Sequence, residues 1–264
     1  LATIGWLKSM GHCSYSTIET WMEDVLQVPV SRGYLAKLCT GTISGSLADA
    51  YDEVTAAIRE EKPDVVFAPH VDTSSGILIP DDYIRAMTSA VHEHGGLFVL
   101  DCVASGGAWV DMEACGVDVL LSAPQKGWSS TPCAAPVMLS AAAAEHVDNS
   151  SSDSFACDLG KWLDIMRAYE NGGHAYHATL PTDGLKQFRD TVLETRAFGF
   201  DTFAERQWEL GQRVRSMLEE RGFASVAAEG YKAPGVVVSF TDDPGIQNGS
   251  KFVARGLQIA AGVP

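Results

Sequence analysis

The sequence is 264 residues long, 46% hydrophobic and 20% charged, the balance of a globular protein with enough chain to bury a substantial core in one large domain or a domain and part of another. A net charge of −15 argues against nucleic-acid binding, which needs a basic footprint for the phosphates. No apolar stretch approaches the ~20 residues of a membrane span, and the first residues carry no basic-then-apolar signal pattern.

Residues 1–45 show no sustained periodicity; 17–26 predict a helical turn or two, and 28–33 a turn. From Ser46 to Glu61 the apolar residues Leu47, Tyr51, Val54 and Ile58 recur at helical spacing with charges opposite, and Lys62-Pro63 closes that helix. Residues 65–68 read as a short core strand, and the polar run from His70 to Gly76 as the loop beyond it, making His70, Asp72 and Thr73 site candidates. Pro80 with Asp81 and Asp82 starts a helix whose apolar face is Tyr83, Ile84, Met87, Ala90 and Val91. Strands are predicted at 97–101, 117–121 and 135–139, with a short helix after Met112 and an alanine-rich one over 140–147. This alternation predicts a largely parallel α/β sheet. Asp158 is the expected cap of a helix with face Leu159, Trp162, Leu163 and Met166. One long helical stretch is then predicted from Asp183 to Glu220, with a seam of Phe203, Leu210, Val214 and Met217. A strand over 235–240, a helix over 250–255 and a strand start at 257–260 complete the pattern. The six cysteines, at 13, 39, 102, 115, 133 and 157, form no CxxC pair and no metal spacing, and read as reduced thiols of a cytoplasmic protein.

The segment that organises this pattern is Ser122-Ala123-Pro124-Gln125-Lys126-Gly127-Trp128. A single lysine follows a core strand, in a turn bounded by Pro124 and Gly127, where small neighbours could hold its amine out of water as a Schiff-base lysine requires. Twenty-five residues earlier the apolar run Leu97-Phe98-Val99-Leu100 ends in Asp101. An acid to pair with a pyridinium nitrogen, and a lysine to carry the aldehyde, are the two protein groups that pyridoxal phosphate (PLP) requires.

The segments His70-Val71-Asp72-Thr73-Ser74-Ser75-Gly76, Val99-Leu100-Asp101-Cys102-Val103-Ala104-Ser105 and Ser122-Ala123-Pro124-Gln125-Lys126 resemble, in order and spacing, class V PLP-dependent aminotransferases, and within them the alanine–glyoxylate and serine–glyoxylate group. Tyr176-His177-Ala178-Thr179 falls where that group has a Tyr-x-x-Thr segment. The resemblance runs from about Val65 onward. It implies a fold type I PLP-dependent transferase: a large domain whose mainly parallel sheet is sandwiched by helices (1–182), a linking helix (183–222) and part of a small C-terminal α/β domain (223–264). It also implies a role for each matched residue. Lys126 is the Schiff-base lysine and proton carrier, and Asp101 the partner of the ring nitrogen. Thr73 and Gln125 hydrogen-bond the cofactor, and Val103 packs on its ring. Tyr176 and Thr179 reach the phosphate in a neighbouring subunit, which implies a homodimer with shared sites. In the related cysteine desulfurases a histidine at the position of His70 stacks on the ring, which keeps His70 among the pocket residues. Those enzymes carry histidine before the lysine, where this sequence has Gln125, so the glyoxylate aminotransferase pattern fits better.

The family's glycine-rich phosphate turn is not found: Gly41-Thr42-Ile43-Ser44-Gly45 has suitable small residues but lies too close to His70. The arginine that binds the substrate carboxylate is not matched either, so the resemblance implies a chain shortened at both ends. The expected activity is amino transfer from alanine or serine to a small 2-oxo acid such as glyoxylate. The alternatives are another class V chemistry, lyase or desulfurase, or a non-catalytic fragment.

Overall fold

A computed structural model describes residues 47–259; the helical turns expected at 17–26 and the turn at 41–45 lie outside them. The described chain divides into two compact units. One holds Thr55–His70 and Asp81–Glu205; the other holds Val71–Pro80, the residues from Arg206 onward and the start of the first helix.

The first unit is built on a four-stranded sheet of order β1-β4-β5-β6: β1 (Val65–Pro69), β4 (Leu97–Asp101), β5 (Val119–Leu121) and β6 (Val137–Leu139). β1, β4 and β5 run parallel and β6 runs antiparallel to β5. Parallel neighbours need crossovers, and the sequence supplies helices for them. Helix α1 (Leu47–Glu61) leads into β1 and buries Ile58. Helix α2 (Asp81–His92) precedes β4, its Ile84, Met87, Ala90 and Val91 buried at the predicted 3.6-residue spacing and its acids in the first turn. Phe98, Val99 and Leu100 are buried at the centre of the sheet, each stabilising the fold by about 1.5–3 kcal/mol. Helix α3 (Met112–Cys115), capped by the Asp111 carboxylate on the Ala114 N–H, makes the crossover to β5.

One buried acid stitches the amino end of this sheet. Asp118 accepts from Phe98 N–H at 2.8 Å, the Ser140 hydroxyl at 3.1 Å and His92 Nε2 at 2.7 Å. Ser140, expected inside the alanine-rich helix, instead caps helix α4 (Ala141–Asp148), and Asp158, the expected cap, caps helix α5 (Leu159–Glu170) through Lys161 N–H.

Several expectations change. The strands expected over 117–121 and 135–139 are shorter, and 65–68 is not fully a core strand: β1 is the edge of the described sheet and Phe67 is 66% exposed. The helix expected from Asp183 to Glu220 is two helices, α6 (Thr182–Phe198) and α7 (Phe200–Glu219), broken at Gly199, whose φ of 100° no helix accommodates.

In the second unit, residues 71–78 form a hairpin rather than an open loop. Its strands are β2 (Val71–Asp72) and β3 (Ile77–Leu78), antiparallel and pairing Val71 with Leu78. Leu78 N–H donates to Tyr231 O and Ala233 N–H to Gly76 O, so residues 231–233 flank the hairpin. The seam expected on α7 does not bury: Leu210 and Met217 are exposed, and Gly211 and Arg215 are buried instead. The reason is polar. The Arg215 guanidinium donates to the Ala233 and Val236 carbonyls at 2.5 and 3.0 Å, and a side chain at Gly211 would strike Pro234. Residues 235–240 form no strand and join only an isolated bridge, Ser225 with Ser239. Helix α8 (Pro244–Gln247) is capped by Asp243; α9 (Ser250–Val253) is shorter than expected, and no strand begins at 257–259.

Candidate active site

Asp101 is delivered by β4. Four apolar residues anchor the strand, and the fifth emerges half-buried at its carboxyl end, level with Pro69 of β1 and Leu121 of β5. Ligands of open α/β sheets gather at that end. Asp101 Oδ1 accepts from Val103 N–H at 2.8 Å, which turns the chain back and fixes the carboxylate's orientation. Oδ2 has no partner among the described residues. Below, His70 N–H donates to Asp101 O and Cys102 N–H to Leu121 O, both at 2.9 Å.

His70 is 1% exposed, neither the loop-capping nor the surface residue that a strand-end histidine commonly is. Its Nδ1 lies 2.7 Å from the Ser105 hydroxyl. Burial lowers its pKa to about 4, against an opposing pull from Asp81, so the ring is neutral near pH 7. Cys102 Sγ lies 3.9 Å from the same nitrogen. Burial is the main reason its thiol is pushed up to about 12, with Asp101 adding to the rise and Ser105 opposing it. Such a thiol stays protonated and is no nucleophile.

Lys126 follows β5, the strand beside β4. Its N–H donates to Ala123 O at 3.2 Å, and its carbonyl accepts from Ser129 N–H at 2.9 Å. The turn's foundation is Ala123 and Pro124, both buried, while Gln125 and Lys126 are exposed. The expected shielding of the amine is therefore not found in this chain: the turn that Pro124 and Gly127 create lifts the side chain off the sheet into solvent. Nothing described holds the amine by a hydrogen bond or ion pair. The turn itself is rigidly seated. A Cβ at Gly127 would lie 2.7 Å from Gly106 Cα and 3.0 Å from its carbonyl atoms, so glycine is needed for the two backbones to touch. Trp128 Nε1 donates to Ser122 Oγ at 3.0 Å. Its ring meets Trp109 at 5.2 Å and Phe188 at 5.8 Å, while Trp109 Nε1 donates to Phe200 O at 2.9 Å. Thus the loops after β4 and β5, carrying Asp101 and Lys126, are packed together through Gly106 and Gly127.

The other expected residues are less gathered. Val103 is half-buried in the loop after Asp101. Thr73 is exposed at the tip of the β2–β3 hairpin, in the second unit, where Asp72 is occupied by Ser74 and Ser75 hydroxyls. Tyr176 and Thr179 are exposed and bonded to each other at 3.1 Å, Tyr176 being 79% exposed. An open cleft of about 600 Å³ is lined by Ser129, Asp183, Lys186, Asp190 and Glu194 among others, but by neither Asp101 nor Lys126, and its acids are unsuited to a phosphate. Sequence reasoning missed Ser105, the Gly106–Gly127 contact and the tryptophan cluster. Only the glycines and the tryptophan beside Lys126 gave any signal.

This architecture is that of the fold type I PLP-dependent transferases. The structure of alanine–glyoxylate aminotransferase from Nostoc sp. superposes with a TM-score of 0.69 at 22% identity, covering 80% of this chain and 57% of that one. In sequence, the rabbit (Oryctolagus cuniculus) alanine–glyoxylate aminotransferase is 28% identical over 173 residues, 64% of this chain and 43% of the relative. A Synechococcus protein named soluble hydrogenase, small subunit, is 26% identical over 214 residues, 80% of this chain and 54% of the relative. No family model matches. The chain is thus similar, in sequence and in fold, to alanine–glyoxylate aminotransferases. It spans about half the length of the curated relatives it matches.

Proposed function

We propose that this chain is a PLP-dependent aminotransferase that moves an amino group from a small amino acid, alanine or serine, to a small 2-oxo acid such as glyoxylate. The observation that carries the reading is that Asp101 ends β4 and Lys126 lies in the loop after the adjacent parallel strand β5, the loops that follow the two strands being seated on each other at Gly106 and Gly127. The donor set fits the cofactor: Asp101 Oδ2 is free to accept from a protonated ring nitrogen, and an exposed lysine amine stands on the neighbouring loop. When bound, PLP supplies an electron-accepting ring that lets the α-proton of an amino acid leave.

The protein's own residues supply the rest. Lys126 Nζ would hold the cofactor and would take and return the proton at the substrate's α-carbon. Asp101 holds positive charge on the ring nitrogen. Val103 would pack against the ring, and Thr73 and Gln125 would hydrogen-bond the cofactor, with His70 beside the pocket. Tyr176 and Thr179, exposed and paired, serve the phosphate of a partner subunit, so the working unit is a homodimer with shared sites. Of the cysteines described, Cys102, Cys115, Cys133 and Cys157 are free, in keeping with a reducing, cytoplasmic setting. No described helix is long and apolar enough to cross a membrane. The desulfurase alternative loses support because Cys102 is protonated and Gln125 precedes the lysine.

The test is amino transfer to glyoxylate by the PLP-loaded chain with alanine, serine and cysteine as donors. Transfer from alanine or serine, absent in Lys126→Ala, is the expected result. Sulfide release from cysteine without amino transfer would overturn it.

A further inference from the structure

We propose that His70 and Ser105 form a buried latch that fixes the 101–105 loop, and with it the Asp101 carboxylate, so that both act as positioning residues of the cofactor site. This rests on the functional reading above. The loop is held at each end by one residue. His70 N–H donates to Asp101 O at 2.9 Å, and its ring Nδ1 bonds Ser105 Oγ at 2.7 Å. Between these points the loop closes on itself, Val103 N–H on Asp101 Oδ1 at 2.8 Å and Ser105 N–H on Cys102 O at 3.2 Å. His70 and Ser105 are 1% and 3% exposed, so water competes for neither group. A histidine serving only to fill the core could be an apolar residue of similar volume, whereas this one spends its ring nitrogen on the loop.

The latch reaches further than Asp101. Ser105 leads into Gly106, against which Gly127 packs, and Ser105 O accepts from Ala108 N–H at 3.1 Å. A shift at Ser105 therefore disturbs the carboxylate on one side and the footing of the Lys126 turn on the other. His70 acts through the loop and need not touch the cofactor.

The test compares Ser105→Ala and His70→Leu, which remove the bond, with His70→Asn, whose amide puts a hydrogen-bonding atom near the place of Nδ1. Amide hydrogen exchange is followed in the chain without PLP, alongside the PLP Kd by absorbance titration and borohydride trapping on Lys126. Loss of one buried bond predicts exchange about tenfold faster at Val103, Ser105 and Ala108, unchanged exchange at Phe98 and Leu100, and a PLP Kd raised about tenfold, with His70→Asn close to wild type. Should His70→Leu not fold, Ser105→Ala decides. Unchanged loop exchange, or acceleration spread evenly along β4, overturns the latch. If wild type traps PLP on Lys126 while the loop amides of Ser105→Ala keep their protection, the latch fails and the functional reading stands. If wild type traps none while the loop responds, the reading fails and the latch is only a brace for the loop.

Discussion

Asp101 and Lys126 are prepared in opposite ways. The carboxylate is oriented by Val103 N–H and keeps one oxygen unclaimed; the amine is left in solvent on a rigid turn. Asp101→Asn preserves shape and the Val103 bond but removes the charge proposed to hold a proton on the ring nitrogen. Amino transfer should fall by two or more orders of magnitude, roughly 3 kcal/mol or more in the barrier, while PLP still binds. Near-normal turnover in that variant would make Asp101 a strand-end cap. His70 offers a separate check at the same scale. Its folded pKa of about 4 lies below its ordinary 6.5, so its neutral burial contributes fully above pH 6.5 and is lost as pH falls toward 4. The contribution is on the order of 3 kcal/mol. The stability of wild type relative to His70→Asn, measured by urea unfolding, should fall across pH 6.5 to 4; a constant difference would show that the ring does not stay neutral.

Elements explain what the sequence could and could not reveal. β4 and α2 were legible because their patterns are local: an apolar run closed by Asp101, and apolar residues from Ile84 to Val91 at helical spacing. The β2–β3 hairpin was not, because two-residue strands have no period and Gly76 and Leu78 bond to residues far along the chain, 231 and 233. The break at Gly199 was hidden because helical residues stand on both sides of it. That break predicts a sign. In a continuous helix Gly199→Ala would stabilise by up to ~1 kcal/mol, but at φ 100° it should destabilise by about 1–3 kcal/mol. Urea unfolding of the variant decides between them. The seat of the Lys126 turn is equally exposed to test. Gly127→Ala places a methyl against Gly106 backbone that has no flexible end to yield, so it should cost about 1–3 kcal/mol and weaken PLP binding. A variant of unchanged stability and PLP affinity would mean that the loops are not seated on each other.

At the scale of the whole molecule, the net charge of −15 must be reconciled with an anionic cofactor. Lys126 supplies a positive group on the loop after β5, and in the proposed homodimer the partner's Tyr176 and Thr179 add hydrogen bonds. Mixing Lys126→Ala chains with Tyr176→Phe/Thr179→Ala chains should therefore rebuild one intact site per mixed dimer and recover PLP binding beyond that of either chain alone; no recovery would mean that each chain completes its own site. The central claim, that Lys126 is the covalent anchor beside Asp101, is tested most directly by loading the chain with PLP, reducing with borohydride and mapping the labelled peptide. The account predicts a single pyridoxyl group on Lys126, absent in Lys126→Ala. A label on another lysine, or none at saturating PLP, would contradict it.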